Sequence, residues 1–178
     1  MLILHVQAGR CERLDAVTSA PAGFLWIDAN HSELAAAPEA FQTTVQQACG
    51  ARIHDLHMQD AVNLQHPSYF DSTSDYDMLV FRKLVPGEGA PLAHGADALD
   101  DGPVRHAHQR LHTIETRPIT FFMFERVLIT VRSSRSKTVE TLQARLLEPR
   151  LRPPEAESLH LDKQRLPSHP TELALRLL

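Results

Sequence analysis

Two apolar runs constrain this chain most: FLWI at Phe24–Ile27, and ITFFMF followed by VLITV between Ile119 and Val131. Each is short for a helix and too continuously apolar to leave one face in water. Segments of that kind suit buried strands. Gly23 and Asp28-Ala29-Asn30 bound the first run. Leu111 to Ser133 carries two strands with Glu125-Arg126 as the tight turn between them. Pro118 belongs at an edge or a strand start, since it has no N–H for a ladder. Met123 and the phenylalanines Phe121, Phe122 and Phe124 read as core, and Trp26 as a core or rim anchor.

The other elements follow from local signals. Leu2, Ile3, Leu4 and Val6 favour a first strand ended by Gly9. Glu12 to Val17 begins a return strand, and Arg10, Glu12 and Arg13 are best read as a solvated turn. His31 to Cys49 is the clearest helix, with Ser32 as its N-cap; Pro38 divides it, because proline suits a first turn, and Gly50 stops it. A short polar-faced helix spans Leu56 to Asn63, capped by Asp55, with Leu56, Ala61, Val62 and Leu64 as its apolar contacts. Pro67 disfavours helical geometry at His66, so the helix stops before that pair. After the loop FDSTSD, a strand runs from Tyr76 to Leu84. Thr138 to Leu147 is a helix on Val139, Leu142, Leu146 and Leu147. Pro170 opens a last helix within 168–178. The expected core includes Ile3, Leu25, Ile27, Phe41, Leu79, Phe81, Phe122, Leu128 and Ile129.

Pro86 to Gln109 is rich in Gly, Pro, Ala and Asp and lacks periodicity, so it reads as a flexible insertion. Glu148 to Pro167 reads as a surface segment. The whole is one α/β domain over 1–178, a mixed sheet sandwiched between helices (α/β/α).

Composition bounds the function. The formal net charge is −4 and no basic block interleaves with aromatics, which argues against nucleic acid. Cys11 and Cys49 are far apart, without a Cys-x-x-Cys pattern, and read as reduced thiols. The start MLILHVQAGR has no basic leader, and no segment reaches the roughly 20 apolar residues that cross a bilayer. The 178-residue chain itself reads as soluble.

Several residue groups carry side chains capable of chemistry. His54 and His57 with Asp55 and Asp60 make the nearest approach to a metal or acid–base cluster, but a catalytic zinc needs three protein ligands and an open position. Asp71, Asp75 and Asp77 lack the Gly and Glu of a calcium loop, and turn chemistry explains them better. His106, His108 and His112 in the insertion are read as a solvated linker, and Asp28 as an ordinary strand-end residue. No phosphate loop, nucleophile elbow or His-Glu-x-x-His helix is present. The expectation is that the chain is not an enzyme.

One stretch resembles a known family. Gln59-Asp60-Ala61-Val62-Asn63, then His66-Pro67, Tyr69-Phe70 and Tyr76 to Arg82, is similar to the cytoplasmic domain of CorA-like divalent-cation transporters (the CorA/ZntB superfamily). FLWIDAN at 24–30, PITFFMFERVLITVRS at 118–133 and HPTELALRLL at the end fit in order. The resemblance covers the chain except Pro86 to Gln109. It departs at Gln59, where the family often carries a carboxylate.

The resemblance implies a regulatory domain that senses divalent cations at subunit contacts to gate transport of magnesium, cobalt or zinc. Asp60, with Asp55, is implied as half of a regulatory metal site for Mg2+ or another divalent cation, weak in this chain. The implied whole protein is a homo-oligomer, a pentamer, in the inner membrane, with this domain facing the cytoplasm. The last helix then leads to a stalk and two membrane helices beyond Leu178, making this chain a fragment. Two readings compete: a stand-alone metal-dependent hydrolase, and a non-transporting interaction domain. Two apolar segments of bilayer length after Leu178 would separate the first reading from both.

Overall fold

A computed structural model describes residues 1–17, 22–85, 115–134, 136–148 and 165–178. Seven strands and five helices follow in chain order: β1 Leu2–Gln7, β2 Arg10–Leu14, β3 Phe24–Asn30, α1 His31–Ala36, α2 Pro38–Cys49 and α3 Asp55–Val62. After them come β4 Tyr69–Ser72, β5 Asp77–Val85, β6 Glu115–Met123, β7 Val127–Arg132, α4 Lys137–Leu147 and α5 Pro170–Leu177.

The strands form one mixed sheet in the order β2-β1-β3-β7-β6-β5-β4. Only β3 and β7 pair in parallel; the other neighbours are antiparallel. The two apolar runs therefore lie side by side at the centre, where both faces are covered. On one face Leu25, Ile27, Phe122 and Ile129 pack with Leu34, Phe41, Val45 and Met58 of α1–α3. On the other, Phe24, Trp26, Phe121 and Leu128 pack with Val139 and Leu146 of α4 and Leu173 and Leu177 of α5. The fold is the expected α/β/α layer arrangement.

Local signals and structure differ in ways with physical causes. Arg10, Glu12 and Arg13 are on strand β2, not in a turn, because a hairpin with only Ala8 and Gly9 between Gln7 and Arg10 returns the chain at once. Gly9 takes φ 78 there. Asn30, not Ser32, caps α1: its side chain accepts from Glu33 N–H while the Glu33 carboxylate accepts from Asn30 N–H, a reciprocal capping box. Pro38 starts α2 and Gly50 ends it in the left-handed region, as the sequence implies. Asp55 does not cap α3; it is that helix's first residue, and no side chain caps the turn. Leu56 and Leu64 are exposed, and the buried residues of α3 are His57, Met58 and Ala61.

Pro118 lies within β6, yet β6 pairs with β7 only from Thr120 onward, so its missing N–H falls where that side of the strand is unpaired. The segment read as the loop FDSTSD supplies a further strand, β4, at the sheet edge. On β5 the buried residues are Met78 and Val80, whereas Leu79 and Phe81 are half-buried. Both cysteines are free. Burial, with the Glu12 charge beside it, pushes the Cys11 thiol from 9.0 up to about 11. The thiolate is the reactive form. Iodoacetamide at pH 8 should then alkylate Cys11 at least about tenfold more slowly than an unperturbed thiol; equal rates would contradict the burial.

Candidate functional site

The residues singled out around α3 are placed differently from one another. Asp55 and Asp60 are five apart, which puts them about 140° apart around the helix. Asp55 is exposed in the first turn, and Asp60 is in the last turn with its side chain 20% exposed. The structure does not bring the two carboxylates to one face. It brings Asp60 to His66 instead, with Oδ1 3.4 Å from Nε2 and the imidazole only 14% exposed.

The other ring nitrogen of His66, Nδ1, lies 2.8 Å from the carbonyl oxygen of Pro67. A carbonyl only accepts, so Nδ1 carries the proton in the neutral ring and Nε2 presents a lone pair toward the Asp60 carboxylate. Two acceptors at that distance repel unless a proton or a cation lies between them. Arg82 fixes the loop that sets this geometry. Its Nη1 donates to the carbonyls of Leu64 and His66 at 3.0 and 2.9 Å, and its Nε and Nη2 donate to Thr116. The sequence points to Asp60 and not to His66. The signal that could have found His66 is the His-Pro step itself, which holds a histidine in a turn just past the helix.

His54 and His57 are placed differently: His54 is exposed and His57 points into the fold. His57 is buried, and its Nε2 lies 3.0 Å from Asp71 Oδ2. An ionised carboxylate accepts, so Nε2 carries the proton and Nδ1 accepts from the Tyr76 hydroxyl at 2.8 Å. Tyr76 Oη also accepts from the His54 backbone N–H at 2.9 Å. Burial raises the Tyr76 phenol above its ordinary value, the His54 N–H opposes this, and the charges of Asp71 and Asp75 add to it. The phenol therefore keeps its proton to donate. Both ring nitrogens of His57 are occupied inside the fold, which ties α3 to β4 and to Tyr76 just before β5.

Of the acidic loop, Asp71 serves His57, Asp77 accepts from Ser72 Oγ at 2.6 Å, and Asp75 accepts from Ser74 Oγ at 3.3 Å. Among the described residues no group of three or more His, Cys, Asp or Glu is arranged to hold a metal. His106, His108, His112 and the segment Pro86 to Gln109 lie outside the described residues. Asp28 is buried and bonded to Arg132, Thr130 and Gln143, so its role is structural.

The fold, a seven-stranded mixed sheet with α1–α3 on one face and α4 and α5 on the other, is that of the CorA soluble domain. Solved structures similar to the chain include the following three. The full-length CmaX protein is 15% identical, with a TM-score of 0.56 over 99% of this chain and 42% of that one. The soluble domain of CorA from Methanocaldococcus jannaschii is 15% identical, with a TM-score of 0.53 over 84% of this chain and 48% of that one. The complete CorA magnesium transporter of the same organism is 13% identical, with a TM-score of 0.50 over 81% of this chain and 36% of that one. The chain thus spans less than half the length of each. No family model matches the sequence, and no curated protein does. Among the described residues no helix is long and apolar enough to cross a membrane.

Proposed function

We propose that this chain is the regulatory domain of a CorA-like divalent-cation transporter, and that Asp60 with His66 supplies half of its cation-sensing site. The fold supports the class. The observation that carries the sensing role is the 3.4 Å approach of Asp60 Oδ1 to His66 Nε2, with the His66 tautomer fixed by Pro67. Two ligands bound at about 2.0–2.1 Å to a tetrahedral metal are themselves about 3.4 Å apart, so the pair matches two adjacent positions on one ion. A carboxylate with an imidazole suits zinc or cobalt better than magnesium, which prefers oxygen and gives up its water reluctantly. Asp55, exposed and about 140° around α3 from Asp60, is not part of this pair.

Two protein ligands leave the coordination incomplete. In a homo-oligomer, a pentamer by family resemblance, a neighbouring subunit completes it, and loss of the ion loosens that contact and biases the pore. The whole protein in this reading sits in the inner membrane through segments outside these 178 residues, with this domain in the cytoplasm. Titration of the 178-residue protein with cobalt, followed by its visible absorption, tests the site. Weak binding is expected, weakened at least about tenfold by either Asp60→Ala or His66→Ala, and tighter than magnesium binding. Tight binding that survives both substitutions would overturn the assignment.

A further inference from the structure

The chain leaves the one parallel strand pair in two directions. After β3 it enters α1 and the layer of α1–α3; after β7 it crosses to α4 on the opposite face. Neighbouring parallel strands whose connections diverge in this way open a crevice at their carboxyl ends, the place where open α/β sheets take ligands. Such a crevice is present. A cleft of about 600 Å3 is walled by His31 and Ser32 after β3, Ser133 after β7, Arg117 of β6 and Arg82 of β5. That volume is in the range of metabolite sites.

Its polar groups are unevenly used. Arg82 commits both nitrogens of its fork to Thr116 and to the loop carbonyls, so it adds charge more than free donors. Arg117 donates from Nε to Glu115 at 2.9 Å and from Nη1 to Ser133 Oγ at 3.4 Å. Its Nη2 has no partner among the described residues, and its side chain is 37% exposed. Ser133 Oγ, accepting from Arg117, keeps its own proton to donate. Among the described residues Glu115 is the only carboxylate of the wall, against Arg82 and Arg117, which leaves one net positive charge. The wall also holds one of the two buried side-chain polar atoms without a partner among the described residues, His31 Nε2. Burial holds the His31 ring below its ordinary value, so it is neutral near pH 7.

We propose that this crevice is an effector site for a small metabolite carrying a phosphate or carboxylate, with Arg117 as the oxyanion fork and Ser133 as a hydroxyl donor beside it. A guanidinium with free planar donors pairs with such groups through two parallel bonds. Leu64 and Gln65 form part of the same wall, and they belong to the loop that carries His66. An occupant would therefore touch the segment that faces Asp60, although the site does not depend on a cation being bound there.

The test is a titration of the 178-residue protein with inorganic phosphate, AMP and malonate, followed by amide chemical shifts. Saturable shifts at residues 30–32, 115–117 and 133–134 are expected with at least one probe. Saturation by AMP or phosphate identifies a phosphate ligand, and saturation by malonate a carboxylate. Arg117→Gln should weaken that binding at least about tenfold, and Ser133→Ala by less. No saturation by any probe below about 10 mM, or equal affinity in a folded Arg117→Gln protein, would overturn the proposal.

Discussion

Asp28→Ala should destabilise the protein by about 3–5 kcal/mol, the range for leaving one partner of a buried ion pair alone. The Asp28 and Arg132 side chains are 5% and 11% exposed. Arg132 Nη2 donates to Oδ2 at 2.7 Å, and Nε reaches both carboxylate oxygens at 3.1 Å. Thr130 Oγ1 donates to Oδ1 at 2.6 Å, and Gln143 Nε2 donates to Oδ2 at 2.8 Å. Trp26 Nε1 in turn donates to Thr130 Oγ1 at 3.0 Å. One carboxylate thus joins β3, β7 and α4. Without it, the hydrogen bonds Arg132 keeps among the described residues are those to the carbonyls of Ser133 and Ser134, and only the Glu33 charge remains near it in a poorly solvated place. The double change Asp28→Leu with Arg132→Met should recover much of the loss, because it removes both charges together. Urea denaturation gives the comparison. A loss below about 1 kcal/mol for Asp28→Ala would mean that water reaches Arg132 freely.

The role of Asp28 shows why a sequence yields elements more readily than sites. Its place at the end of a strand is legible from FLWIDAN, but its partner Arg132 lies 104 residues on. Only the parallel pairing of Asp28 with Thr130 brings them together. The same limit hides the crevice, since Ser32, Arg117 and Ser133 meet only through strand order. On β5 the run YDMLVFRKL is nearly continuous in apolar residues, so its phase is ambiguous. Helices α1–α3 cover the face of Met78 and Val80, while α5 lies over β3, β6 and β7 and leaves Leu79 and Phe81 half-covered. Strand β4 is hidden in the sequence because Tyr69 and Phe70 are exposed and Asp71 and Ser72 are turn formers. Backbone pairing with β5, not side-chain pattern, makes it a strand. His57 inverts the usual expectation for α3: a polar residue goes inward because Tyr76 and Asp71 satisfy both its nitrogens, and Leu56 is left outside.

Gly23→Ala should also cost about 2–4 kcal/mol, and the paired substitution Gly50→Ala shows why. Both glycines adopt φ 77, in the region that L residues rarely enter. A Cβ on Gly50 would meet nothing within 4 Å, so Gly50→Ala carries the backbone term alone, about 1 kcal/mol or slightly more. A Cβ on Gly23 would lie 2.1 Å from the Val6 carbonyl oxygen and 2.9 Å from Gln7 Cα. Both are backbone atoms of β1, which pairs with β3 from Leu2 to Val6, so they cannot swing aside as a side-chain tip would. Relief would require β1 and β3 to separate at the Val6–Phe24 end, where both side chains are fully buried. The carbonyl of Gly23 also receives Arg126 Nε and Nη2 at 3.1 and 2.9 Å, so displacement of Gly23 would disturb the turn before β7 as well. Thermal or urea unfolding of the two variants separates the contributions, since the backbone penalty is common to both. Equal losses would show that the β1–β3 end yields without strain; a larger loss for Gly23→Ala is the expected result.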